Sequence, residues 1–237
     1  MTSNDLRVNA TIPAALSIPD RVGAFLTAVY GWMCAGLAMT AGTAWLVARS
    51  PTLVNAIAAN RLVFWGLMIA QLGIVFFLSA RVQRLAASTA SLLFVLYSAL
   101  TGVTMSFVLL AFTGESVATT FLVTAGMFGA LAAYGTVTRR SLAGLGQFLF
   151  MGLIGVVLAS VVGLFWHSDA LQFVISFIGV IVFTGLAAYD AQRLKAMALT
   201  TPEGQLGSYA IVGALALYLD FINLFLFLLR FMGSRRE

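Results

Sequence analysis

The sequence predicts an all-α polytopic membrane protein with seven membrane-crossing helices. Composition, the spacing of charges and the placement of prolines carry that prediction. Of 237 residues, 61% are hydrophobic and only 9% are charged. A soluble domain carries roughly a quarter charged residues, so this chain has too few charges to coat itself in water. Lipid is the solvent that fits.

The charges mark out the spans. No Asp, Glu, Lys, Arg or His falls within the 27 residues between Arg21 and Arg49, or the 19 between Arg61 and Arg81. The same holds for 30 residues between Arg84 and Glu115, 23 between Glu115 and Arg139, 26 between Arg140 and His167, and 20 between Asp169 and Asp190. A helix crosses a bilayer in about 20 residues, so each run suffices. A seventh span covers about Tyr209 to Leu229, interrupted by Asp220. Runs of this length are helices, not barrel strands. Pro13, Pro19, Pro51 and Pro202 all fall outside the spans, as helix breakers should. Thr200, Pro202 and Glu203 read as the start of the last helix: capping threonine, early proline, acid in the first turn.

Residues 1–20 read as a cytoplasmic N-terminal segment and not a cleavable signal, because they lack an apolar core. Residues 21–232 read as a single seven-helix membrane domain, and 233–237 as a short basic tail. Cys34 stands alone, so no intrachain disulfide forms. The net charge of +5 is distributed over short loops, which favours the positive-inside rule over nucleic-acid binding. With the N-terminus in the cytoplasm, the inner segments hold Arg7, Arg21, Arg81, Arg84, Arg139, Arg140, Arg193 and Lys195. The outer loops before the tail then hold only two basic residues, Arg49 and Arg61, beside Glu115 and Asp169, and Trp45, Trp65 and Trp166 fall at the outer edge. Arg235 and Arg236 lie outside if the seventh helix crosses fully. Gly155, Ala159 and Gly163, and likewise Ala125 and Gly129, have the four-residue spacing that lets helices approach closely.

An ionisable residue inside a span is costly and points to function. Asp220 lies near the middle of the seventh span, and Asn223 shares its helix face as a candidate hydrogen-bonding support. Asp190 ends the sixth span, and Arg230 reads as a residue that snorkels to the interface. The sixth and seventh spans are consecutive, so the two aspartates can be neighbours. Two carboxylates in a desolvated site do not both ionise cheaply, so a pair would share one proton. Such a pair is a proton-sensitive switch or a cation ligand. Arg81, or alternatively Arg84, is on the correct side to latch one of them. His167 reads as a solvated loop residue with no ligand partners at metal-site spacing, and no Walker loop, CxxC or serine–histidine arrangement is present.

These residues resemble the Bax inhibitor-1 (transmembrane Bax inhibitor motif) family, in its bacterial branch. The resemblance is carried by Leu217-Tyr218-Leu219-Asp220-Phe221-Ile222-Asn223-Leu224-Phe225 with Arg230 following, and by Phe183-Thr184-Gly185-Leu186 leading to Tyr189-Asp190 and Gln192-Arg193-Leu194-Lys195. Val29-Tyr30-Gly31-Trp32-Met33 and the stretch from Leu92 to Gly102 also match. The resemblance implies six helices around a central C-terminal helix. It implies a pH-sensitive calcium leak through the bacterial inner membrane, gated by Asp190 and Asp220, with a calcium ion held by that pair as the only bound group. Tyr189 and Tyr218 flank the aspartates in the two motifs. In the closed state an arginine after the second helix bonds the sixth-helix aspartate, and Arg81 matches best. The family often carries a second-helix glutamate before Leu-Gly, where this chain has Gln71-Leu72-Gly73. That departure removes one carboxylate from the cation path.

Two other readings compete. Some bacterial relatives modulate a membrane-embedded AAA protease, which would make this a regulator and not a channel. Presenilin-type intramembrane proteases also place aspartates on successive helices, but need Gly-x-Gly-Asp and a later proline motif. Here Tyr218-Leu219 precede Asp220 and no proline follows Pro202, so the chain is not read as an enzyme.

Overall fold

A computed structural model describes residues 18–166 and 168–236; Arg7, Pro13, His167 and most of the N-terminal segment lie outside the described residues. The described residues form eight α-helices: α1 (Ile18–Ala48), α2 (Pro51–Ala59), α3 (Arg61–Arg81), α4 (Ala87–Ala111), α5 (Gly114–Val137), α6 (Ala143–Phe165), α7 (Asp169–Thr200) and α8 (Leu206–Met232). Seven are long and apolar enough to cross a membrane, and α2 is not. α2 buries no residue and links α1 to α3 at one end of the bundle.

Polar side chains start the helices at that end. Ser50, Asn60, Thr113 and Ser168 each accept a backbone N–H from the first turn of α2, α3, α5 and α7 respectively. Such caps satisfy N–H groups that have no partner within the helix. Pro19 and Pro51 sit in first turns, where a missing N–H costs nothing.

α8 is the hub. It packs on α7, α1, α5 and α4, while α1 packs on α4, α5 on α7 and α6 on α7. Six spans therefore surround a buried C-terminal helix. The core runs the length of α8, from Ala210, Ala214 and Leu217 to Leu224 and Leu229.

Two boundaries differ from the sequence-based expectation. Asp190 does not end its helix: α7 continues ten residues further, to Thr200. Charged residues end an apolar stretch without ending a helix, and Lys195 donates from α7 to the Thr136 carbonyl at 2.8 Å. Thr200 closes α7 and does not cap α8. Pro202 instead precedes a short 3₁₀ turn, Glu203–Gln205, that leads into Leu206.

Of the small residues expected to pack, Gly163 meets Gln172, Ile175 and Leu171 of α7 and Ala159 packs on the core, but the two other glycines do not approach a neighbour. No neighbouring helix comes within 4 Å of where a Cβ would stand on Gly155 or Gly129. A Cβ on Gly135 would instead run into the Ala188 carbonyl, so α5 and α7 meet there backbone to backbone.

The tail is anchored. Thr113 N–H donates to the Ser234 carbonyl at 3.1 Å and Arg236 N–H to the Ala111 carbonyl at 3.0 Å. Ser234 N–H donates to Ser116 Oγ at 2.9 Å. The tail thus lies at the end that holds the α4–α5 turn, so α8 runs the full height of the bundle. Arg21, Arg140, Arg193 and Lys195 gather at the opposite, basic end, where Arg21 donates to the Ala198 and Thr201 carbonyls.

Candidate functional site

α7 and α8 pack side by side and bring Asp190 and Asp220 together. The two carboxyl groups are close enough to interact directly, and both line one cleft. Asp220 is buried, at 6% exposure, and Asp190 is half-buried. Asp220 Oδ2 is fully enclosed and has no hydrogen-bond partner among the described residues.

The pair lines a cleft of about 640 Å³ between α6, α7 and α8. Its walls are mostly apolar, with Gln147, Tyr189, Arg193 and Asn223 as the other polar lining residues. Local structure sets the rims. Gln192 Nε2 donates to the Arg140 carbonyl at 2.9 Å, and its Oε1 accepts the Leu142 N–H at 2.8 Å. One side chain of α7 thereby pins the start of α6 two residues beyond Asp190. On α6, Gly146 gives room to the Tyr189 ring, which any Cβ there would strike.

Asn223 shares the cleft, but its amide donates to the Leu219 carbonyl of its own helix at 2.8 Å and not to Asp220. The positive charge that acts on Asp190 is that of Arg193. Arg81 and Arg84 are exposed, and neither forms an ion pair with Asp190 in this structure. They end α3 and the short 3₁₀ turn after it, and α3 packs chiefly against α4. Arg230 is exposed at the end of α8 and lines a polar pocket with Arg235 and Ser168, as expected of a residue at the membrane edge.

Tyr218 and Gln71 belong to a second polar cluster, on the other side of α8. Thr40 Oγ1 donates to the Ser98 carbonyl at 2.9 Å and lies 2.6 Å from Tyr218 Oη. A hydroxyl has one proton, so Tyr218 donates to Thr40. Thr101 lies beside Tyr97 and Tyr218, and its hydroxyl donates to Gln71 Oε1 at 3.5 Å. Gln71 Nε2 is buried without a partner. The Tyr218 ring stands edge-on to Phe94 and Tyr97, each 5.8 Å away. The sequence reading missed Thr40, Tyr97, Ser98 and Thr101. Tyr97 and Thr101, four residues apart in an apolar span, were the available signal.

A family model described as "Inhibitor of apoptosis-promoting Bax1" matches residues 22–237. The chain belongs to the Bax inhibitor-1 family. It is 52% identical over 215 residues to the Inner membrane protein YbhL of Escherichia coli (strain K12), covering 90% of this chain and 92% of that one. It is 48% identical to a protein of Deinococcus radiodurans, covering 91% and 93% of the two chains. A membrane protein of Streptococcus pyogenes serotype M1 is 36% identical, covering 88% and 92%. This family member is an integral membrane protein, and its Asp190–Asp220 pair stands within the helices long and apolar enough to span the bilayer.

Proposed function

We propose that the protein is a proton-sensitive leak pathway for cations, with calcium as the candidate ion and the Asp190–Asp220 pair as gate. The close carboxyl pair in the α6–α7–α8 cleft carries this reading. With one shared proton the pair holds α7 against α8. Loss of that proton leaves two carboxylates in contact, which favours separation or a divalent cation between them; a second proton leaves a neutral pair with little attraction for one. Calcium takes six to eight oxygens in a tight site, and among the described residues no three acidic or histidine groups cluster. Two carboxylates therefore suit passage better than storage. The protein acts as a conduit and not as an enzyme, with the basic end in the cytoplasm, as positive charge directs. Arg81 serves as latch by reaching Asp190 in a further closed arrangement, with Arg84 as substitute.

Calcium flux into proteoliposomes containing only this protein, followed across pH, tests the proposal. Wild-type flux should change as pH is stepped from about 6 to 8, because gain or loss of a proton changes the charge on the pair. Asp220→Asn keeps shape and removes the titration, so its flux should be nearly flat over that range. A folded Asp220→Asn protein with the wild-type pH profile refutes the gate. In the same assay Arg81→Ala should raise basal leak, and equal leak at every pH refutes the latch alone. Wild-type liposomes without flux would favour the regulator reading, in which a membrane-embedded AAA protease is the partner.

A further inference from the structure

The tail end of the bundle holds a second opening, unrelated to the aspartate cleft. α1 packs on α4 and α8, whereas α5 packs on α7 and α8. α1 and α5 therefore flank a gap, with α4 behind it. The gap is a groove of about 700 Å³ walled by Ala41, Trp45, Leu109, Val117, Phe121 and Leu122 among others. It leads into an almost wholly apolar recess of about 210 Å³ that reaches Phe221 and Phe225 of the central helix.

The groove's charged residues are Arg49 and Arg236. The Arg49 guanidinium lies over the Trp45 ring, 3.8 Å from its centre, a stacking that orders the side chain at the membrane edge. The Arg236 backbone is fixed by its bond to the Ala111 carbonyl, at the turn that begins α5. Neither arginine has a carboxylate partner among the described residues. The acid in the first turn of α5, Glu115, is on the other face of that helix, where it lines a separate polar pocket with Ser116 and Thr119. Positions 114, 117, 118, 121 and 122 of α5 face the groove instead, as helical periodicity requires.

We propose that this groove binds one anionic phospholipid, its phosphate between Arg49 and Arg236 and an acyl chain along the apolar walls. Any lipid can wet an apolar groove, but two guanidinium groups at its mouth, without a carboxylate partner among the described residues, select a negative headgroup, since arginine matches phosphate oxygens in a two-pronged geometry. A chain seated there would also reach the core beside Phe221, the residue next to Asp220.

The test is native mass spectrometry of the full-length protein in a neutral detergent, titrated with phosphatidylglycerol, phosphatidylcholine or inorganic phosphate. One tight equivalent of phosphatidylglycerol is expected on wild type. Each of Arg49→Gln and Arg236→Gln should weaken it about fivefold, the worth of one basic residue at an anionic surface. Ala118→Trp, which fills the groove and keeps both arginines, should weaken it as well. Phosphatidylcholine should bind the wild type and the double arginine variant equally weakly. All three positions are exposed, so folding should survive the changes. Equal phosphatidylglycerol binding by wild type and the double variant overturns the site as ordinary annular lipid. Inorganic phosphate binding with the same arginine dependence, unaffected by Ala118→Trp, overturns it as a bare anion site.

Discussion

α3 and α8 have nearly the same mean hydropathy over their most apolar windows, 2.1 and 2.2, yet 6% of that window is buried in α3 and 67% in α8. In water such a difference would be written in the pattern, because an exposed helix face must be polar. In a bilayer lipid tails are as apolar as leucine, so a peripheral helix and a central one read alike. What separates them is the polar and small residues. α8 carries Asp220, Tyr218, Ser208 and Gly213 into the core, whereas α3 buries Leu78 alone below the half-exposed Gln71.

The largest expected effect tests that contrast directly. Leu217 is fully buried in α8 and Leu72 is 60% exposed on α3. Leu217→Ala should cost about 2–5 kcal/mol through the cavity it leaves. Leu72→Ala should stay within about 0.5 kcal/mol, as surface changes do. Reversible unfolding in mixed micelles measures both, and equal losses would mean that burial within the bundle does not rank these helices.

Glycine gives a sharper version of the same comparison. Gly135→Ala drives a methyl into the Ala188 carbonyl, where backbone cannot yield cheaply. A loss of about 1–3 kcal/mol is expected, the usual scale of overpacking. Gly155→Ala meets open space on lipid-facing α6 and should stabilise by about 0.5–1 kcal/mol through helix propensity. A stabilised Gly135→Ala protein would show that α5 and α7 do not touch there.

The smallest effect concerns the second polar cluster. Tyr218→Phe removes the bond to Thr40 but leaves Thr40 donating to Ser98, so no hydroxyl proton is stranded. The loss should be about 0.6–1.7 kcal/mol, the range for hydrogen bonds between membrane helices. Tyr134, 52% exposed, should tolerate the same change without measurable loss. A double cycle with Thr40→Val that shows no coupling would remove this bond from the structure's account.

The sequence by itself determined that the chain crosses a membrane, how many times, and which carboxylates are out of place there. Charge-free runs of bilayer length and an aspartate ten residues deep in one of them depend on solvent chemistry alone, and that is local information. Asp190 and Asp220 were nominated in the same way, from the energetic cost of their positions. The tertiary structure decided what each of these residues meets. It joined the two aspartates across α7 and α8, turned Asn223 back onto its own helix, and set Arg193 nearer to Asp190 in effect than Arg81. It chose Gly135 and Gly146 for close approach and left Gly155 and Gly129 open. It also drew Thr40, Tyr97, Thr101 and Tyr218 from three helices into one cluster. The physical reason is the common one throughout: in lipid, hydrophobicity drives insertion but not helix choice, so neighbours are selected by packing and hydrogen bonds between residues far apart in sequence.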